Sequence, residues 1–240
     1  MMALDWDFTK LSTVHYETNT YEIREVYENI SIHTQTSDVE IIPSADGKTT
    51  VICKEETKRK HLVSVENGTL TIRLADTTKW YERMGIHFGK TKITVAVPEK
   101  AYNTIETKLT TGDISAKNLT AQQMELNLTT GDMKLSHISC KNLNVKATTG
   151  DIVLQNVIAQ ELLKAKGTTG DIKLHQCDAG ELEIETTTGD ITGFLLSPKQ
   201  FTAKTTTGSV NVPQSEAGGP CSLKATTGDI RITLDQIDEK

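Results

Sequence analysis

The sequence predicts an all-β fold, a right-handed parallel β-solenoid (a single-stranded β-helix) with coils of about 19–20 residues. The five-residue phrase Thr-Thr-Gly-Asp-Ile recurs between Thr110 and Ile230 with little change. The glycines of its seven copies are Gly112, Gly131, Gly150, Gly170, Gly189, Gly208 and Gly228, so their sequence numbers differ by 19 or 20 from one copy to the next. A period this constant, with no helical pattern between the copies, is typical of stacked units that pack only on their neighbours.

Each copy contains apolar residues that alternate with polar ones. Met124, Leu126 and Leu128 precede one glycine, and Met133 and Leu135 follow it with the opposite parity. Period-two alternation predicts strands with one buried face, and the change of parity predicts a corner at Gly-Asp. The right-handed sense is expected by analogy with other parallel crossover connections.

We expect one continuous domain in three parts. Residues 105–235 form the regular coils, and residues 25–104 form irregular coils of the same body. Residues 1–24 are expected to cap the N-terminal end, since an exposed terminal coil is an unpaired edge. The other end has no comparable cover, which predicts a homo-oligomer formed through solenoid ends.

The composition excludes several classes of protein. The net charge is −6 over 240 residues, and the sequence contains no basic stripe. Nucleic acid is therefore not an expected partner. No apolar run is long enough to span a membrane, and no signal-peptide pattern is present. The expected location is therefore cytoplasmic by default. The four cysteines are expected to be reduced, with Cys140 in a loop.

Six aspartates that follow the repeat glycines are candidate metal ligands, and Ser209 takes the corresponding position in one copy. They are Asp113, Asp132, Asp151, Asp171, Asp190 and Asp229. Stacked carboxylates repel one another unless a cation bridges them, and calcium is the natural bridge. The favoured alternative is that each carboxylate accepts hydrogen bonds from turn amides. No cofactor is expected, and calcium remains the open alternative.

A second candidate site is an aromatic segment that interrupts the strand pattern before the regular coils. The proposed partner-binding residues are Trp80, Tyr81, Met84, His87 and Phe88. Exposed aromatic and Met side chains are typical of protein interfaces. The alternative is that this segment packs back over the side of the solenoid.

The repeat also bears on catalysis. Parallel β-helices include pectin-type lyases and polygalacturonases, whose sites join acidic and basic residues on one outer face. Here the outward positions repeat almost without change, and no acid/base pair interrupts them. We therefore expect no enzyme, with a carbohydrate-active or calcium-dependent β-helix protein as the alternative. The two threonines of each copy are expected to point in opposite directions, which leaves one outward row.

The chain resembles the bacterial putative-adhesin family of β-strand-repeat proteins, a domain family of unknown function. The resemblance rests on the Thr-Thr-Gly-Asp-Ile units, on the degenerate copy Ser37-Asp38-Val39, and on the strand end Val97-Pro98. It covers roughly residues 25–235 and transfers no catalytic residue. It implies a scaffold or binding protein, adhesin-like and linked to the cell envelope, whose partner is an unidentified protein or polysaccharide surface.

Overall fold

The computed structural model describes residues 15–75 and 91–234, and every regular element in them is a β-strand, as the all-β prediction requires. In chain order the strands are β1 (Tyr16–Ile23), β2 (Asn29–Thr36), β3 (Asp38–Pro43), β4 (Thr49–Glu56), β5 (His61–Glu66), β6 (Thr69–Leu74), β7 (Lys92–Val97), β8 (Ala101–Thr111), β9 (Ile114–Thr130), β10 (Met133–Thr149), β11 (Ile152–Thr169), β12 (Ile172–Thr188), β13 (Ile191–Leu195), β14 (Gln200–Thr207), β15 (Val210–Asn211), β16 (Pro220–Thr227) and β17 (Ile230–Leu234).

Strands β9 to β12 form the regular part, and each pairs in parallel with the next. Met133 pairs with Ile152 and Ile152 with Ile172, so the register advances by one sequence repeat from each strand to the next. These long strands bend at a second corner, where Asn118, His137, Asn156 and Gln176 have positive φ values between 51° and 53°. The repeat period therefore places the same side-chain position of successive coils in one column.

The interior is filled by apolar columns that run through the coils. Ile114, Met133, Ile152 and Ile172 are each at most 1% exposed, and they follow one another in register. All four cysteines are free and buried. Cys140 lies in β10 opposite Ala121 and Ala159 at an interior position, so the prediction of a loop for it was wrong. Each coil thus buries its apolar side chains against its neighbours.

The N-terminal part departs from an all-parallel arrangement, and the sheet is mixed. β1 and β7 both pair antiparallel with β4, and β5 pairs antiparallel with β6. The reason for the second pairing is the tight Asn67-Gly68 turn, which has positive φ at both residues and reverses the chain. β1 belongs to the segment expected to form the cap and pairs with β4, while residues 1–14 of that segment lie outside the described residues.

The coils are not stacked in chain order at either end. β2 pairs with both β6 and β8, and β3 with both β7 and β9, so β2 and β3 lie between strands that follow them in sequence. At the other end, β16 lies between β12 and β14, and β17 lies between β13 and β15. The last strands of the sequence are therefore inserted one coil before the end of the stack.

Contacts of two residues, Lys199 and Gly219, fix the insertion at the C-terminal end. Lys199, 4% exposed, donates through Nζ to the carbonyl of Ala179 at 2.6 Å and lies 2.6 Å from Asp178 Oδ1. Gly219 lies against the backbone of Gly180, where a Cβ would come within 1.9 Å of the carbonyl oxygen. These contacts hold the outgoing and returning chain segments over the side of the stack.

Candidate functional site

The Gly-Asp corner of each coil forms a continuous hydrogen-bonded column. The backbone amide of each aspartate donates to Oδ1 of the aspartate in the preceding coil of the stack. The amide–carboxylate pairs are Asp113–Asp38 (3.0 Å), Asp132–Asp113 (2.9 Å), Asp151–Asp132 (2.8 Å), Asp171–Asp151 (2.9 Å), Asp190–Asp171 (2.9 Å), Asp229–Asp190 (2.7 Å) and Ser209–Asp229 (2.7 Å). We name this set of residues, from Asp38 to Ser209, the Asp column.

The Asp column satisfies its amides within the protein, and four of its carboxylates also form ion pairs. Lys173 pairs with Asp151 and Asp171, and Arg231 pairs with Asp190 and Asp229. The hydrogen bond from the amide of Asp171 is the main cause that lowers the pKa of Asp151. The bonds from the amide and hydroxyl of Ser209 lower the pKa of Asp229 in the same way. Each aspartate accepts a hydrogen bond from a backbone amide, which is a structural role that needs no cation. Calcium binding stays a prediction.

The other predicted site cannot be placed in this structure. Trp80, Tyr81, Met84, His87 and Phe88 lie outside the described residues.

A second outward column carries positive charge and was missed in the sequence. Four residues before the corner, the parallel register aligns side chains from nine successive coils. In stack order they are Arg73, His33, Lys108, Asn127, Lys146, Lys166, Glu185, Lys224 and Lys204. We name this set the basic column. The column can be seen in the sequence when the repeat copies are aligned on their glycines and the residues four positions before each glycine are compared.

Much of the charge on the basic column is available to a ligand. Lys166 pairs with Glu185 at 2.9 Å, and Lys108 pairs with Glu106. Within residues 15–75 and 91–234, however, the other four cations of the column make no ion pair. They are Arg73, Lys146, Lys204 and Lys224, and all four are exposed.

Threonine hydroxyls lie beside the basic column. Both threonines of each repeat copy are exposed, for example Thr110 and Thr111, so the prediction of a single outward row was wrong. The reason is that the strand ends at the corner, where the second threonine no longer faces the interior. A groove of about 600 Å³ runs along this region, and its lining includes Arg73, Lys108 and Lys146 with Thr129 and Thr148. The groove spans five coils, roughly 19 Å at about 4.8 Å per coil.

A separate polar cluster lies where the antiparallel strands meet the coils. Glu55, fully buried in β4, accepts hydrogen bonds from the amide and Nδ1 of His61 at 2.6 and 2.7 Å. Nε2 of His61 lies 2.9 Å from Thr34 Oγ1 in β2. Cys53 lies two residues before Glu55 on the same face, and burial, followed by the charge of Glu55, raises the pKa of its thiol to about 12. This cluster joins three strands of the N-terminal part.

Three solved structures of bacterial proteins are similar to this chain. A solved structure described as a "putative adhesin" from Bacteroides fragilis has a TM-score of 0.52 and 19% identity, and the match covers 92% of this chain and 97% of that one. A "putative cell adhesion protein" from Clostridium sporogenes covers 92% and 100%, with a TM-score of 0.42 and 14% identity. A "putative lipid binding protein" from Parabacteroides distasonis covers 91% and 97%, with a TM-score of 0.45 and 16% identity.

The likeness to the Bacteroides fragilis structure concerns the fold alone, since the sequence identity is only 19%. No curated protein matches the sequence. No helix in the described part of the chain could cross a membrane. The profile of one domain family, Toastrack DUF4097, matches residues 27–192 and 156–240, which together extend from Tyr27 to the last residue. The chain therefore belongs to the Toastrack DUF4097 family, a solenoid-like, all-β family that includes bacterial putative adhesins.

Proposed function

We propose that this chain is a non-enzymatic, adhesin-like binding scaffold whose basic column holds an elongated anionic ligand along the stack. The observation that carries the proposal is the alignment of six Lys and Arg side chains within one column of nine positions. In this proposal the coils form a right-handed solenoid with one sequence repeat per turn. A rigid stack of this kind holds its charges at a fixed spacing before any ligand arrives, which lowers the entropy cost of binding.

The chemistry of the face favours a linear acidic glycan. Cations attract carboxylate or phosphate groups, and the neighbouring threonine hydroxyls can exchange hydrogen bonds with sugar hydroxyls. The basic column contains no Phe, Tyr or Trp side chain on which nucleobases would stack. It also contains no large apolar side chain to insert into a lipid surface. Attachment to a glycan of the bacterial envelope would fit the adhesin names of the relatives.

The lining of the groove supports the non-enzymatic part of the proposal. Glycosidases that use a carboxylate pair need two acidic side chains flanking the scissile bond. The groove is lined by Thr, Lys, Arg, Asn, His, Gln and Leu residues, with no carboxylate among them. The second candidate function, a calcium-dependent scaffold, would use the free Oδ2 atoms of Asp113 and Asp132. A rise in melting temperature with millimolar calcium would favour that alternative.

Equilibrium binding to immobilised acidic and neutral polysaccharides tests the proposal. The variant Lys108→Gln/Lys146→Gln removes two charges from the groove. The control, Lys117→Gln/Lys134→Gln, removes two exposed charges beyond the Gly-Asp corner. We expect the groove variant to bind the acidic polymer about tenfold more weakly, since each exposed charge contributes up to about 1 kcal/mol. The control should bind as tightly as the wild type. Equal losses in both variants, or equal binding of neutral polymer, would refute the proposal.

A further inference from the structure

Three side chains with metal-ligating atoms lie together at the junction between the antiparallel strands and the coils. Cys53 Sγ, a carboxylate oxygen of Glu55 and a ring nitrogen of His61 are all within 4.8 Å of one another. Cys53 and Glu55 are fully buried, and His61 is 4% exposed. In the described part of the chain, no other group of three such residues lies this close.

Hydrogen bonds from neighbouring residues fix the orientation of the Glu55 and His61 side chains. The side-chain Nδ2 of Asn19 donates a hydrogen bond to Glu55 Oε1 at 2.7 Å, which fixes the carboxylate. Thr34 bonds to Nε2 of His61, which leaves Nδ1 directed toward Glu55 Oε2. Outer partners of this kind orient the ligands of metal sites. Cys53 Sγ is the one group of the three that makes no hydrogen bond to any described residue, although it is buried beside them.

We propose that Cys53, Glu55 and His61 bind one divalent transition-metal ion of the zinc class, through Sγ, Oε2 and Nδ1. Thiolate, imidazole and carboxylate are the ligand types that Zn²⁺ takes, at about 2.0 to 2.3 Å. Bonds of that length place ligand atoms about 3 to 4 Å apart in a tetrahedron, within the present spread of the three groups. One tetrahedral position remains for a further donor.

Charge balance explains why a divalent ion suits this position. A thiolate and a carboxylate carry two negative charges, which a divalent cation neutralises while the imidazole stays neutral. Burying an unbalanced carboxylate is costly, and buried charges are normally paired or bound to a metal. Binding would release the thiol proton of Cys53 and the Nδ1 proton of His61 to solvent. The ion would join β4 and β5, and through Thr34 it would stabilise their attachment to β2.

The test uses the full chain after removal of metal with a chelator. Cobalt(II) is titrated while the near-ultraviolet charge-transfer band of a cobalt–thiolate bond is recorded. We expect the band to saturate at one equivalent in the wild type and in Cys221→Ser, a control that alters a buried cysteine far from the cluster. Cys53→Ser should lose the band. A folded wild type without the band, or a band that survives in Cys53→Ser, would overturn the proposal.

X-ray absorption on the zinc-loaded wild type gives a second answer that depends on no variant. The proposal requires one sulfur at about 2.3 Å and two or three nitrogen or oxygen ligands around each bound ion. A zinc shell without sulfur would place the ion elsewhere on the chain and exclude this site.

Discussion

At the scale of single residues, Gly150 meets two separate requirements. Its φ is 125°, and a Cβ would lie 1.9 Å from the carbonyl oxygen of Gly131 in the preceding coil. The first requirement disfavours any L side chain, and the second leaves no space for one. Because the coils stack at the same corner, Gly131 and Gly170, the other repeat glycines between β9 and β12, meet the same restriction.

The two requirements can be separated by a matched pair of substitutions. Gly150→Ala should lower the free energy of unfolding by about 3 kcal/mol or more, since it adds a backbone clash to the strain of a positive φ. Gly47→Ala carries only the strain, because nothing lies within 4 Å of its Cβ position, and should cost about 1 kcal/mol. Urea unfolding of both variants measures the difference. Equal losses would show that the stacked glycine backbones are not in close contact.

The Asp column predicts a loss of stability in acid. The pKa values of Asp151 and Asp229 are lowered in the folded chain, so their ionised forms stabilise it above the unfolded value of about 3.9. That contribution disappears as the pH falls through the lowered folded values. The urea midpoint should therefore drop between about pH 5 and about pH 2.5. The double variant Asp151→Asn/Asp229→Asn should lose less over that interval, and an identical drop would exclude these two carboxylates as its source.

The functional residues were only partly accessible from the sequence. The aspartates could be identified as candidates because they follow a recurring glycine. Their carboxylates, however, accept hydrogen bonds from the backbone amides of the next coil of the stack rather than from their own turn. Lys108 and Lys146 were missed because they are separated by two repeats in the sequence. Only the register of the parallel strands places them in the same column. Cys53, Glu55 and His61 have no ligand-like spacing, and only the folding of β5 back toward β4 brings His61 to the other two.

At the scale of elements, the strands were predictable but their order in the stack was not. Apolar alternation indicates which segments pair, whereas a constant period fits any order of identical coils. One signal was present in Ser209. Its coil is the last of the stack. An aspartate there would therefore find no following backbone amide in the described chain from which its carboxylate could accept a hydrogen bond. The copy without aspartate thus marks the end of the stack, although another copy follows it in sequence.

Engineered disulfides test this order. Glu185 pairs with Lys224, and Lys204 lies one coil beyond. We expect Glu185→Cys/Lys224→Cys to form a disulfide, since adjacent coils lie about 4.8 Å apart, within the range a disulfide spans. Glu185→Cys/Lys204→Cys should stay reduced, because two coils separate its cysteines by roughly 10 Å. Mass spectrometry after mild oxidation reports both. The opposite result would restore stacking in chain order.

At the scale of the whole molecule, the two ends differ. β4 has partners on both sides, β1 and β7, in the N-terminal part, whereas β14 and β15 pair on one side only among the described strands. Val210 in β15 is 43% exposed. An unpaired edge of this kind invites association with a second copy.

We therefore predict a dimer formed through the end that carries β14 and β15. Val210→Lys should shift the mass measured by light scattering toward the monomer. Val26→Lys should not, since Val26, 85% exposed, lies in the N-terminal part of the chain. A wild type that is monomeric at high concentration would remove the prediction.

The central functional claim is that one ligand lies lengthwise along the basic column. The most direct test is the affinity of the wild-type chain for a series of acidic oligosaccharides, from disaccharide to dodecasaccharide, measured by calorimetry. A lengthwise site predicts that affinity rises with each added unit until the ligand spans the groove of roughly 19 Å, and then levels off. Affinity that is independent of length, or equal for neutral oligosaccharides of the same size, would contradict the claim.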